Sequence, residues 1–255
     1  MIEKFIVSPC HKSYLIVKNK KIFCGDCEQA FDEIENGLYN LIPKEYYLTS
    51  KYQKWINFQK EYSFRATKLR KKNDKKLDRY SNYHHEFLNK FCKLKGRVLD
   101  VGCGPMLNHF KFINKNILPS IDYFGIDPEY SFFKGGNNCL KAVGEFLPFQ
   151  SDFFDSVFLI SVLDHVINPY KTLGEIKRVL KKNGKIYISL PMRHLTWKTE
   201  LRKFFFPIYK SKTHVTEFNE NKLLNLIKKS ELKVLKLKRS DSFPKNLFVE
   251  IKKIN

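Results

Sequence analysis

The chain reads as an α/β fold, a largely parallel sheet with intervening helices, carrying a small N-terminal β knuckle and a helical cap. Three observations predict it. From residue 96 onward, short apolar runs of strand length alternate with amphipathic helical runs. Two of the apolar runs end on an acid beside a turn residue, in LDVGCG (99–104) and GIDP (125–128). Before residue 96 the pattern differs, with aromatics recurring at helical spacing through residues 44–95.

Taken in order, residues 1–43 hold the runs FIVS, SYLIV and KIFC, broken by polar and cysteine-bearing turns, which predicts a β-rich knuckle. Residues 44–95 predict two amphipathic helices, YYLTSKYQKWINFQKEYSF and LDRYSNYHHEFLNKFC, around the charge run KLRKKNDKKLD. The third unit, 96–255, opens with GRVLDVG, a buried strand closed by glycine, and continues with the strands YFGID and SVFLIS. YKTLGEIKRVLKKNG predicts a helix that stops at Asn183-Gly184, with basic residues in its last turn where the dipole favours them. KIYISLP is a fourth strand and NENKLLNLIKKS a further helix. LKVLKLK and LFVEIKK, joined by RSDSFPKN, predict an antiparallel hairpin that closes the sheet.

A hydrophobic share of 43% and an aromatic share of 15% support a packed core and exclude a disordered chain. No stretch approaches the roughly 20 apolar residues of a spanning helix, and MIEKFIVSPC lacks a secretory leader's pattern. Six cysteines, two of them as Cys24-x-x-Cys27, point to metal or free thiols in a reducing cytoplasm. The net charge of +21 is unevenly spread. Residues 1–95 carry 20 Lys/Arg against 11 Asp/Glu, 96–190 carry 11 against 9, and 191–255 carry 16 against 6. A near-neutral core between basic flanks fits an anionic partner such as nucleic acid, a phosphorylated metabolite or a membrane surface. It fits equally a lysine-rich surface with no such partner.

The glycines of VLDVGCG let the backbone turn tightly and approach a ligand with no Cβ in the way. A dinucleotide fingerprint would place a third glycine where Leu107 stands, and Asp100 is an awkward neighbour for a pyrophosphate. A cationic ligand suits that carboxylate better, and S-adenosylmethionine has a sulfonium, an ammonium and no phosphate.

With GEFLPF (144–149), FDSV (154–157), SVLDHVINP (161–169) and LGEIKRVLKKNGKIYISLP (173–191), these motifs resemble the class I S-adenosylmethionine-dependent methyltransferases, particularly the type 11 group. The resemblance implies a Rossmann-like seven-stranded sheet running to residue 253 with its last strand antiparallel. It implies that Asp100, Gly102, Cys103 and Gly104 line the methionine half of S-adenosylmethionine. Asp127, followed by Pro128, would accept both ribose hydroxyls; Gly144 and Glu145 would flank the adenine; Ile160 and Ser161 would lie beneath the sulfur. Three departures are visible. Met106 stands near the family's third glycine, Val143 replaces the acid that reads the adenine amino group, and Asp164 replaces a commoner glutamate.

The head of the chain resembles the zinc ribbon of ribosomal-RNA guanine methyltransferases, with a tail of Phe31, Asp32, Gly37, Tyr39 and Leu41. Cys24 and Cys27 form half of a tetrahedral zinc site. Ser8 stands where the first ligand would be, which leaves Cys10 and His11 as the other candidates. Adjacent ligands on one ion imply strain, so zinc and a vestigial metal-free knuckle both stay open.

Methyl transfer needs a general base only where the nucleophile carries its proton at neutral pH. His165, expected at the start of a helix, and His214, in KTHVTEF, are the candidates, each with an ordinary structural role as the alternative. Residues 191–218 leave the strand bordering the cleft, and Trp197, Phe204, Phe205, Phe206 and Tyr209 fit an acceptor pocket or a packed helical hairpin. Three functions follow: transfer to a small-molecule, glycan or lipid-linked acceptor, transfer to an RNA base gripped by the basic head, or a non-catalytic cofactor-binding scaffold.

Overall fold

A computed structural model describes residues 5–19, 21–35, 38–72, 82–104, 109–129, 139–191, 215–241 and 246–254. At its centre is a seven-stranded sheet. Its strands are β6 (Gly96–Val101), β7 (Ile121–Asp127), β8 (Cys139–Lys141), β9 (Phe154–Ile160), β10 (Leu180–Pro191), β11 (Leu232–Arg239) and β12 (Asn246–Lys253). Their spatial order is β11-β12-β10-β9-β6-β7-β8. Strands β8, β7, β6, β9 and β10 pair in parallel, while β12 runs antiparallel to both β10 and β11. The expected seven-stranded sheet and its closing antiparallel hairpin are therefore present. Strand β8, only three residues long, was not foreseen from its sequence.

The strands obey the two-residue alternation of a sheet covered on both faces. Leu99, Val157, Ile188 and Val249 enter one apolar cluster, and Val98, Phe158, Tyr187 and Phe248 enter the other. Helices α4 (Pro169–Val179) and α5 (Glu220–Lys229) cover the first face through Leu173, Ile176, Leu223 and Ile227. The second face is covered by α3 (Glu86–Phe91), a π-helical segment whose Phe87, Leu88 and Phe91 are buried.

Helix α4 ends at Val179, four residues before the expected Asn183-Gly184 stop. The reason is non-local. The amides of Asp152 and Phe153 take the carbonyls of Arg178 and Val179, and Leu180 then pairs with Phe154 as strand. Asn183-Gly184 instead falls where the β9–β10 register shifts between Leu180 and Lys185. Lys177 and Arg178 supply the basic last turn. At the other end, Asn168 caps α4 by accepting the Lys171 amide at 3.1 Å.

The knuckle contains β1 (Leu15–Lys18), β2 (Lys21–Cys24) and β3 (Ala30–Phe31), paired antiparallel in that order, and the two-stranded ribbon of β4 (Glu33–Glu35) and β5 (Leu38–Tyr39). FIVS is not a strand; Ile6 makes one isolated bridge to Phe149. Ile22, Cys24, Phe31 and Leu41 share the apolar cluster of the main sheet, so the knuckle is packed onto the core. The first expected amphipathic helix is split into α1 (Lys44–Tyr47) and α2 (Ser50–Lys72), and the second is α3. Residues 73–81, which take in the end of the charge run and part of the second expected helix, the chain 192–214 with His214 and the aromatic series, and Met106 and Leu107 lie outside the described residues.

Candidate functional site

The parallel strands deliver their C-terminal ends to one edge, and the direction of chain crossing reverses between β6 and β9, where open α/β sheets bind ligands. There the chain leaves β6 with Gly102 at φ +73° and Gly104 at φ +69°. Both values lie in the left-handed region that only glycine enters without strain. A Cβ on Gly102 would stand 2.5 Å from Cγ2 of Val162. The turn is pinned to β7: the amides of Gly102 and Cys103 donate to the Ile126 carbonyl at 2.8 and 3.0 Å.

Asp127, at the tip of β7, accepts the Gly104 amide at 3.0 Å and the Glu129 amide at 2.8 Å. These amides favour the carboxylate, but burial outweighs them and pushes its pKa up to about 7. Pro128 follows as the bend that ends the strand.

Asp100 sits behind the turn rather than in its mouth. It is fully buried, takes Nδ1 of His109 at 2.9 Å and accepts the Tyr123 hydroxyl at 2.6 Å. Cys103 is likewise buried, its sulfur beside that of Cys139 where a Cβ on Gly125 would intrude. Thus Gly102, Gly104 and Asp127 converge on the strand tips, while Asp100 and Cys103 point into the fold beneath them.

On the far side of the edge, Gly144 and Glu145 form a single 3-10 turn, Gly144–Phe146. A Cβ on Gly144 would meet Cγ2 of Thr172 at 2.8 Å, so glycine lets α4 close against this loop. Glu145 is buried and accepts the Asn168 amide at 2.9 Å. Burial raises its pKa, against the pull of that amide. Val143 is buried in an apolar cluster with Tyr52, Ile42 and Ile56.

Ile160 ends β9 and Ser161 follows at φ +54°, its amide donating to the Ser189 carbonyl at 2.8 Å. A serine held left-handed at a strand tip is backbone strain of the kind that collects at working sites. His165 lies in the turn after β9, four residues ahead of α4 rather than at its start. Its Nε2 is 4.0 Å from Oδ2 of Asp164.

Helices α1 and α2 pack over this region, through Tyr46 and Trp55 respectively. Trp55 donates its indole N–H to the His165 carbonyl at 2.6 Å, and the Tyr46 ring packs on Phe146 at 4.9 Å. Residues that sequence reasoning missed include Tyr83, Ser189 and Asn246, a buried polar trio under the edge. The Tyr83 hydroxyl pairs with Ser189 Oγ at 2.8 Å, and the Asn246 amide donates to both. The helical aromatic spacing contained a signal for Trp55. None existed for the trio, whose members lie more than 50 positions apart.

In the knuckle, Cys10, His11, Cys24 and Cys27 have ligand atoms all within 4.8 Å of one another. The Cys10 and Cys27 sulfurs are 3.8 Å apart, and Cys24 Sγ is 3.7 Å from His11 Nδ1. A tetrahedron with Zn–S bonds of about 2.3 Å has edges of about 3.8 Å. Three thiols and one imidazole are also a donor set suited to a closed structural zinc site. A left-handed residue follows His11 and another follows Cys27: Lys12 has φ +61° and Glu28 has φ +56°. Ser8 is buried one layer back, its hydroxyl on Ser13, whose own hydroxyl meets Cys24 Sγ at 3.4 Å. That contact and neighbouring hydrogen bonds outweigh burial and lower the Cys24 thiol pKa to about 5.

The sheet order and the glycine-and-acid edge are those of an α/β fold with a ligand-binding edge at its strand tips, and the chain belongs to the methyltransferase-domain family, which it matches over residues 66–237. Membership gives it a methyltransferase domain. Over 98 residues it is 38% identical to the uncharacterised protein MJ1123 of Methanocaldococcus jannaschii, covering 38% of this chain and 45% of that one. Over 113 residues it is 32% identical to the tRNA U34 carboxymethyltransferase of Campylobacter fetus, covering 40% and 39%. The matched stretch is under half the length of these curated relatives. Among solved structures, the 1,6-didemethyltoxoflavin-N1-methyltransferase of Burkholderia thailandensis superposes with a TM-score of 0.56. The superposition covers 91% of this chain and 98% of that one at 14% identity, a likeness of fold. Among the described residues no helix is long and apolar enough to cross a membrane.

Proposed function

We propose that the chain methylates a small-molecule or glycan acceptor, lipid-linked acceptors included. The observation that carries this reading is the roof. Trp55 of α2, bonded to the His165 carbonyl, and Tyr46 of α1, packed on Phe146, support an aromatic roof beside the strand tips. Such a covered edge suits a compact acceptor better than a nucleic-acid helix. The small heteroaromatic substrate in the Burkholderia enzyme's name agrees with it.

In this reading Asp127 receives the ribose hydroxyls, Gly102 and Gly104 admit the methionine portion, and Gly144 and Glu145 flank the adenine. Ile160 and Ser161 form the floor beneath the sulfur. Asp100, fixed by His109 and Tyr123, holds the base of the glycine turn and contributes negative potential from behind. Bound S-adenosylmethionine supplies a sulfonium methyl, an electrophile that needs alignment and dryness more than activation. The chain's part is to orient the acceptor and exclude water. For an acceptor hydroxyl, His165, with Asp164 beside it, would take the proton.

The knuckle, in the same reading, holds one zinc through Cys10, His11, Cys24 and Cys27, as a structural ion with no open position. Metal analysis of the purified protein is expected to find about one equivalent.

The decisive experiment incubates the protein with methyl-labelled cofactor and cell extract separated into RNA, lipid, sugar, small-molecule and protein pools. Label is expected in the small-molecule, sugar or lipid pool. Label in RNA would replace this reading with base methylation, which the tRNA-modifying relative and the basic flanks favour. No transfer to any pool, with cofactor binding intact, would favour a scaffold.

A further inference from the structure

The knuckle's two halves grip the chain on both sides of the adenine-side loop. After that loop, the Val7 amide donates to the Pro148 carbonyl at 3.1 Å, the Gln150 amide donates to the Phe5 carbonyl at 3.2 Å, and Ile6 bridges Phe149. Before it, the Leu41 amide donates to the Lys141 carbonyl at 2.9 Å, and Asn40 bridges Lys141. The loop 142–147 is thus suspended between two knuckle contacts. A third contact runs directly from the metal cluster. Lys12 follows the ligands Cys10 and His11, and its ammonium reaches Glu175 at 2.7 Å and the Leu147 carbonyl at 3.4 Å. Glu175 in turn accepts the Leu147 amide at 2.8 Å, and Arg178 donates to the carbonyls of Leu147 and Phe149.

We propose that the metal knuckle is a positioning device for the cofactor site, with Lys12 as the strut that transmits metal occupancy to the Gly144–Phe146 turn. This rests on the zinc and adenine assignments proposed above. The ion ties Cys10 and His11 into the turn that carries Lys12, which stands left-handed at φ +61° with its amide on the Ser8 carbonyl at 2.8 Å. That conformation aims the ammonium at Glu175 and Leu147. Releasing the ion frees the turn, and the adenine loop loses its clamp on one flank. The knuckle therefore serves the cofactor, in addition to any surface it offers an acceptor.

The test uses the full chain and three measurements: zinc content by elemental analysis, affinity for S-adenosylhomocysteine by calorimetry, and amide exchange over residues 141–150. Stripping the metal with a chelator is expected to weaken S-adenosylhomocysteine binding by about tenfold, and added zinc should restore it. Exchange over 141–150 should rise in parallel. Lys12→Met should keep its zinc yet show a similar loss of affinity, and Lys12→Arg should recover most of it by keeping the charge on Glu175. The Lys12 pair keeps the proposal testable if the stripped protein unfolds. Undiminished affinity in Lys12→Met, or in stripped and folded protein, would overturn the coupling while leaving the zinc and cofactor assignments standing. A purified chain with no zinc would overturn the metal assignment and the coupling together. Wild-type protein that binds no S-adenosylhomocysteine would instead overturn the cofactor assignment.

Discussion

Asp127 gives the sharpest quantitative expectation. In the free protein its carboxyl titrates near 7, because burial outweighs the two amides that favour its ionised form. Ribose hydroxyls donate hydrogen bonds, and a carboxylate accepts them better than a carboxylic acid does. Binding should therefore select the ionised form and expel a proton wherever the free protein still holds one. At about pH 6 only about a tenth of the free protein carries ionised Asp127, and at about pH 8 about nine tenths does. Affinity for S-adenosylhomocysteine should rise about tenfold between those limits, or ~1.4 kcal/mol. The sign for folding is opposite. A carboxyl whose folded pKa is raised stabilises the free protein most below its unfolded value near 4, and that contribution is lost as pH climbs through 7. Calorimetry in buffers of different ionisation enthalpy reads both affinity and proton release, and Asp127→Asn should flatten the profile. Affinity independent of pH, with no proton released near pH 6, would refute the ribose assignment.

Further expectations follow from single contacts. Asp127→Ala should leave no measurable cofactor binding by calorimetric titration; unchanged affinity would count against the assignment as directly as a flat pH profile. Gly102→Ala should lose about 1–2 kcal/mol to the left-handed backbone and about 1–3 kcal/mol to crowding against Val162, read by urea denaturation. The double variant with Val162→Ala should recover the second share and not the first. Tyr83→Phe removes a buried partner of Ser189 and Asn246 and should cost about 1–3 kcal/mol on the same assay. A loss under a few tenths would mean that those groups find other partners.

Most of the sheet was legible because buried parallel strands read as apolar runs: GRVLDVG, YFGID and SVFLIS fall on β6, β7 and β9, each within a few residues of the strand's bounds. Strand β8 is the short sequence CLK, which has too few residues for a period to declare itself. The end of α4 was misplaced for a different reason. Asn183-Gly184 is a genuine turn signal, but the amides that stop the helix belong to Asp152 and Phe153, on another part of the chain. The Cys24-x-x-Cys27 pair marked half of the cluster locally, whereas Cys10 and His11 reach it from 13 to 17 positions away. Least legible was the attachment of the knuckle to the loop 142–147: Lys12 and Leu147 are 135 positions apart, and nothing in either neighbourhood names the other.

The placement of β12 sets a schedule for the chain's birth. Residues 246–253 are threaded between β10 and β11, so the ribosome delivers an interior piece of the sheet after nearly everything around it. Until that segment emerges, β10 has a bare margin of backbone donors and acceptors beside the β9 it already pairs. A nascent chain paused at that point would be prone to capture a stray strand, and truncation just before Asn246 should turn a folded protein into an aggregating one.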